Sequence, residues 1–452
     1  MKKLLALVLA ALLLSVSCVA LGEAPEDYPE VKEGIDFGGA TLYINPYWNP
    51  DPRKSDPTEE EQARYDYQDW IMETYNVKVV EEQLSDWTNI STELVNFVGA
   101  PDGTLRVMVL PPDWVGGPMA NNALAAWNEN DLIDLTDEQW NASTVDFMTK
   151  GGKVYGVATG HSEPRGCLYF NKTILQEAGI DWNTIYDMQA DGTWTWDAFE
   201  TMLKQVQKDT DNDGVIDIWG FTGENITLQR NAVFGNGGSF FDYDENGKLV
   251  LTVGSDNALE ALAWAKDIWE KYAWKGEEGA NWDYYKDAWK QSFCGFYVYQ
   301  TYGGFNEQDE FNPKDDGFEW GCVALPKGPK GETYINVVSD NVYVIPNVYD
   351  AETTAKIAYI YSLWSATTPG YDDEDAWIQN KYNKTDDRAV DETYAMLREA
   401  EHCATDKVLY LGSVNDVEGN GFLWNMPGST PAELLESKTP VWQGLLDAFN
   451  GN

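Results

Sequence analysis

The chain has 452 residues, 43% of them hydrophobic, and a formal net charge of −44 from 75 acidic and 31 basic side chains. That length exceeds one ordinary core and predicts two domains, and the hydrophobic content excludes an acidic disordered tail. So acidic a surface repels phosphate backbones and anionic lipid; it excludes nucleic acid as a partner and serves solubility rather than acid-specific chemistry.

The chain opens on Lys2 and Lys3, the apolar run Leu4 to Leu14, and small residues at Ser15, Ser17, Ala20 and Gly22. This is the pattern of an export signal over residues 1–22, too short to span a membrane. Cys18 is a candidate lipidation site, with plain cleavage after Ala20 or Gly22 as the alternative, and residues 23–36 read as an acidic linker. A strand is expected over Ala40 to Tyr47, ending in an aromatic loop with Trp48. Thr58 and Glu61 form a capping-box signature for a helix reaching about Tyr75. Val77 to Val80 and Leu105 to Leu110 are further strands, each running into a loop with a tryptophan, Trp87 and Trp114. Strands alternating with helices at this spacing predict an α/β fold.

Next come strands at Val154 to Val157 and Leu168 to Phe170, then a helix capped by Thr195 with Phe199, Met202, Leu203 and Val206 on one face. Asp209, Asp211, Asp213, Gly214 and Asp217 follow at the spacing of a calcium loop, but Gly220 stands where such a loop wants a bidentate glutamate. The loop reads either as a structural calcium site or as a metal-free acidic turn. A helix is expected over Ser255 to Tyr272, strands over Cys294 to Tyr299, Trp320 to Leu325 and Asn341 to Ile345, and a helix from Asp350 to Trp364. The C-terminal portion reads as mostly helical, ending in Pro440 to Phe449.

Catalytic motifs are scarce. Cys167, Cys294, Cys322 and Cys403 form no CxxC pair and read as free thiols, with room for one bridge. His161 and His402 have no partner at metal-ligand spacing, and His402 reads as a helix-end surface residue. Two carboxylates suffice for a glycosidase, so a secreted glycoside-active enzyme stays open as the alternative, with a surface adhesin as a third.

Several segments resemble family 1 extracellular solute-binding proteins, the receptors of ATP-driven sugar importers. They are Gly152 to Val157, Leu168 to Lys172, Thr193 to Asp217, Asn236 to Asp242, Pro326 to Pro329 and Ser339 to Pro346, in the family's order. Ala158 departs from the usual proline, and the stretch after Pro369 looks like a subgroup extension. The resemblance implies a two-lobed periplasmic-binding-protein-like fold of type II, with a ligand cleft between hinged lobes and a helical C-terminal extension. It places residues 37–150 and 285–345 in lobe 1, and residues 151–284 and 346–452 in lobe 2. It also implies a non-enzymatic, monomeric, exported receptor that binds a carbohydrate and hands it to the transporter's permease subunits, with no cofactor beyond possible calcium.

Sugars present flat C–H faces edged with hydroxyls, so a sugar site needs aromatic platforms and planar polar groups. Trp48, Trp87 and Trp114 sit just after strands, where open α/β sheets place ligands; each could instead pack its own loop. Asp86 and Asp113 beside two of them could accept sugar hydroxyls, or simply face water. Arg165 lies where the resemblance puts the crossing between lobes, and an ion pair is its competing reading. Asn236, before Gly237 and Gly238, reads as a backbone approach to ligand or a plain turn. Tyr302 fills a comparable slot on the other lobe, with Asp340 and Trp424 as further candidates.

Overall fold

In the computed structural model, which describes residues 27–305, 317–371, 378, 381–382, 384–411, 415–419 and 421–451, two four-stranded sheets form the centres of two lobes. Their strands are β1 (Thr41–Asn45), β2 (Lys78–Glu81), β3 (Leu105–Leu110), β4 (Gly166–Asn171), β5 (Trp219–Gly223), β6 (Cys294–Gln300), β7 (Trp320–Val323) and β8 (Val342–Val344). The helices used below are α1 (Glu59–Thr74), α2 (Trp196–Val206), α3 (Asn225–Gly235), α4 (Asp256–Tyr272), α5 (Tyr284–Lys290), α6 (Ala351–Ser365) and α7 (Pro431–Phe449). The signal region and Cys18 lie outside the described residues.

The first sheet has the order β8-β3-β1-β2, with β1 parallel to β2 and β3, and β8 antiparallel to β3. The second has the order β7-β4-β6-β5, where β6 runs parallel to β5 and antiparallel to β4. Strands such as β4 and β6 are buried almost end to end, as expected where helices cover both faces of a sheet. Capping fixes where the helices begin. Thr58 and Glu61 close a full capping box on α1, and Thr195, Ser255 and Asp350 accept backbone amides at the starts of α2, α4 and α6.

The sheets correct the expected lobe limits. Strands β6 and β7 complete the second sheet, so Cys294–Gln300 and Trp320–Val323 belong to the second lobe. Helix α6 returns to the first lobe: its Ile357 and Ile360 share a core with Leu42, Ile71 and Val107, and Arg64 of α1 donates to the carbonyls of Trp364 and Ala366. The expected strand at Val154 to Val157 is only a two-residue piece, Lys153–Val154.

The C-terminal portion ties the lobes together. Between α6 and α7 the described chain is mainly short 3-10 and π turns, with one short strand, Cys403–Thr405, beside Asn336–Val338. Lys407–Leu411 packs on the first lobe, where the Tyr410 ring stacks on Phe147 at 4.6 Å and on Phe449 of α7 at 5.1 Å. A side chain at Gly116 would place its Cβ 1.7 Å from the Tyr410 carbonyl oxygen, so only glycine permits this approach. On its other side the segment meets the second lobe through Lys407 and Asp242, 3.1 Å apart, and α7 meets it through Trp442 against Phe241.

Candidate ligand-binding cleft

Parallel strands bring their C-terminal ends to one edge, and both sheets turn that edge toward the segments that cross between lobes. In the first lobe β1 exits into Pro46 to Trp48 and β3 into Pro111 to Trp114, while β8 enters from Asn341. In the second lobe β5 exits into Glu224 and β6 into Thr301 and Tyr302, while β4 enters from Arg165. Two crossings run side by side between them: Val157 bridges Tyr343, the amides of Arg165 and Gly166 donate to Asn336 Oδ1, and Ser162 Oγ donates to Asp340 Oδ2 at 2.7 Å.

On the first-lobe edge, Tyr47 donates its hydroxyl to Asn341 Oδ1 at 2.7 Å and holds Trp48 edge-on at 4.9 Å between ring centres. Trp48 is 40% exposed, a ring displayed rather than packed. Burial pushes the Tyr47 hydroxyl up, the Asn341 hydrogen bond opposes this, and the charges of Asp113 and Arg165 both reach it. Those influences place Tyr47, Asp113, Arg165 and Asn341 in one neighbourhood, where the first-lobe edge meets the crossing. Burial also raises the Asp113 carboxyl. Trp114 beside it is half-buried, its indole N–H enclosed without a hydrogen-bond partner. Trp87 is exposed on the loop after β2, whereas Asp86 is committed to its own turn, accepting from Thr88 and Asn89, which hold its pKa low.

At the crossings, Arg165 donates from its guanidinium to the Ser339 carbonyl at 2.8 Å, a backbone contact rather than the ion pair considered from sequence. The Asp340 carboxyl is raised by burial, with the Ser162 hydrogen bond and the Arg165 charge working against the shift. Tyr302 is exposed and shares a hydrogen bond with the Tyr299 hydroxyl at 2.9 Å. Beneath Arg165 opens a cavity of about 240 Å³, lined by Arg230, Asn231, Gln300, Ser339, Asp406 and Glu418 among others. Glu418 is buried and receives both arms of the Arg230 guanidinium, at 2.6 and 2.8 Å. Burial works against the Arg230 charge, but Glu418 outweighs it and the guanidinium pKa stands above its usual value. Asp406, buried next to this pair, has its carboxyl driven well up by burial first and by the Glu418 charge second.

Two expectations are corrected here, and the Asp209 loop differs from its expected residue set at one position. Asn236 is fully buried at the C-terminal end of α3, away from the Glu224 end; its amide donates to the Asn257 carbonyl and Glu260, and its oxygen accepts the Lys330 amide. It is a scaffold residue, because both polar atoms of its side chain are used inside the second lobe. His402 is buried rather than superficial, with Nδ1 2.8 Å from the Tyr334 carbonyl oxygen. The Asp209 loop lies in the second lobe between α2 and β5, closed by a bridge between Lys208 and Ile218. Asp209, Asp211 and Asp217 bring carboxylate oxygens within 4.8 Å of one another, whereas Asp213 is outside that group and accepts the Val215 amide. Trp424 is exposed on a 3-10 turn, and the four described cysteines are free thiols.

The bacterial extracellular solute-binding protein family model matches residues 43–391. The chain belongs to that family. No curated protein sequence matches it. Among solved structures, members of this two-lobed, maltose-binding-protein-like group superpose over nearly their whole length. UspC of Mycobacterium tuberculosis gives a TM-score of 0.59 at 15% identity, covering 91% of this chain and 99% of its own. The cyclic alpha-maltosyl-1,6-maltose binding protein of Arthrobacter globiformis gives 0.57 at 15% identity, covering 92% and 100%. UgpB of M. tuberculosis, solved with glycerophosphocholine, gives 0.55 at 15% identity, covering 91% and 98%. Likeness at that identity establishes the fold of this solute-binding protein and leaves its ligand to its own residues.

Arg230, Gln300, Asp406 and Glu418 carried no signal in the sequence. Arg230 sits on α3, a helix buried on most sides, which therefore lacks the polar and apolar stripes that mark a surface helix. The others come together only when α3, β6 and the C-terminal segment meet. The adjacent Glu224 and Asn225 at the exit of β5 were the one available hint, a strand end of the kind used for Trp48.

Proposed function

We propose that this solute-binding protein is the exported receptor of an ATP-driven importer and holds a carbohydrate of oligosaccharide length between its lobes for delivery to the membrane permease. One observation supports it above others: on each lobe, displayed aromatic rings and planar polar groups stand at strand ends beside the crossings. Trp48, Tyr47 and Asn341 stand on the first lobe, and Arg165 and Tyr302 on the crossing and the second. Rings stack on sugar C–H faces while amides and the guanidinium take hydroxyls. The ligand would favour a closed arrangement only through contacts made with both lobes at once. Names of neighbouring structures, such as the maltotetraose complex of a cyclo/maltodextrin-binding protein, favour the same ligand class.

The test is tryptophan fluorescence titration against a glycan panel, with product analysis. Reversible saturation without product supports the receptor, and release of shortened glycans overturns it in favour of an enzyme. Two further parts of the reading have their own tests. Cys18 would tether the protein through lipid, which mass spectrometry of the mature N-terminus decides. A cation at the Asp209 loop would brace α2 against β5 far from the cleft. Calorimetric titration of chelator-treated protein with calcium distinguishes that from a metal-free turn.

A further inference from the structure

Trp282 is 70% exposed, the most exposed large hydrophobic side chain among the described residues. It sits just before α5, and α5 runs antiparallel to β6: Tyr285 near its start lies 5.9 Å from Tyr299, near the end of the strand, and its far end leads back to Cys294, where the strand begins. Trp282 therefore stands at the same end of the second lobe as Tyr302. The rings between them form a ladder. Trp282 meets Tyr285 at 6.3 Å, Tyr285 meets Tyr299 at 5.9 Å, and Tyr299 meets Tyr302 at 5.7 Å, with the last two hydroxyls bonded. The two inner rings are buried, at 5% and 1% exposure, and Lys286 caps Tyr299 from 5.4 Å. Only the two ends of the ladder are displayed.

We infer that Trp282 is an outer platform on which the protruding end of a bound oligosaccharide stacks, one step outside the cleft. This rests on the carbohydrate reading above. A single exposed apolar residue needs no explanation, but this one is held by a rigid buried pair and is joined through that pair to a cleft residue. Its surroundings select the occupant. Along the chain on either side of it, Glu277, Glu278 and Asp287 are exposed, and so are Lys275 and Lys290, so no single sign of charge is displayed and both acceptors and donors for hydroxyls are at hand. A neutral sugar ring supplies both the flat C–H face that an indole accepts and the hydroxyls that carboxylates accept.

The experiment measures wild-type and Trp282→Ala protein by calorimetry against neutral gluco- and xylo-oligosaccharides from disaccharide to hexasaccharide. Calorimetry avoids the loss of a fluorescent reporter, and an unchanged melting temperature shows that the variant folds. The expected result is unchanged affinity for the disaccharide and about tenfold weaker binding of the longest chains, with Trp282→Phe between the two. Equal affinity of the variant and the wild type for every chain length overturns the platform, and so does a loss that is the same for short and long chains. A wild-type preference for disaccharides over longer chains overturns it too. A wild-type protein that binds no member of the series overturns the carbohydrate reading itself, so the two failures are distinguishable.

Discussion

The two edges of the cleft are built differently. On the first lobe, Trp48 and Trp87 stand on short loops at strand ends, exposed and supporting little beyond themselves. On the second lobe, Arg230 of α3 reaches a cavity lined also by Asp406 and Glu418 of the C-terminal segment, which itself packs against the first lobe. One edge displays surface that can be exchanged cheaply. The other mixes recognition with the foundations of the fold, so its substitution should damage stability before it reports on ligand.

Four substitutions sharpen that contrast. Arg230→Met leaves Glu418 buried with an unpaired charge and should cost about 3–5 kcal/mol in denaturant unfolding; a loss within ~0.5 kcal/mol would mean that the edges are alike. Asp406→Asn addresses the same network through pH. The folded-state pKa of Asp406 is raised, so the native protein holds this proton more tightly than the unfolded chain does. Its contribution is present below the ordinary aspartate range and is lost as pH rises through the raised value. Melting curves across pH should show wild-type stability falling over that window and the variant falling less. The Val408 amide keeps an oxygen acceptor in the asparagine.

Trp48→Ala should weaken glycan binding by about 1–3 kcal/mol as a stacking anchor while leaving the melting temperature nearly unchanged. Equal affinity would take Trp48 out of the site. The smallest effect is expected of Trp87→Ala, where stability should stay within ~0.5 kcal/mol because the ring is exposed and its loop is held by Asp86. A larger loss on unfolding would show that the ring supports the first lobe after all.

Local chemistry was legible in advance where it is self-contained. Leu105 to Leu110 is β3 to the residue, Thr58, Thr195 and Asp350 each cap the helix expected of them, and the helix expected from Ser255 begins there, with Ser255 as its cap. These signals need only a short stretch of chain, since a cap bonds an amide three residues away and a strand declares itself by its own run. Trp48 lies, as expected, on the loop after a strand, where its neighbour Tyr47 bonds Asn341 beside the crossing. Asn236 failed the same reasoning, because a glycine turn looks alike whether it faces a ligand or, as here, closes a helix against Lys330 and Glu260.

The sequence by itself determined the α/β class, the helix starts, the acidic surface and the ordered motifs shared with solute-binding proteins. Tertiary structure alone decided which strands pair, and so moved β6 and β7 to the second lobe and α6 to the first. It also decided the company of Arg230, Asp406 and Glu418, and the aromatic ladder from Tyr302 to Trp282. The reason is physical: periodicity and capping act within a few residues, whereas the buried ion pair joins positions 188 residues apart, and the β3–β8 pairing and the Phe147–Tyr410 ring contact join positions farther apart still.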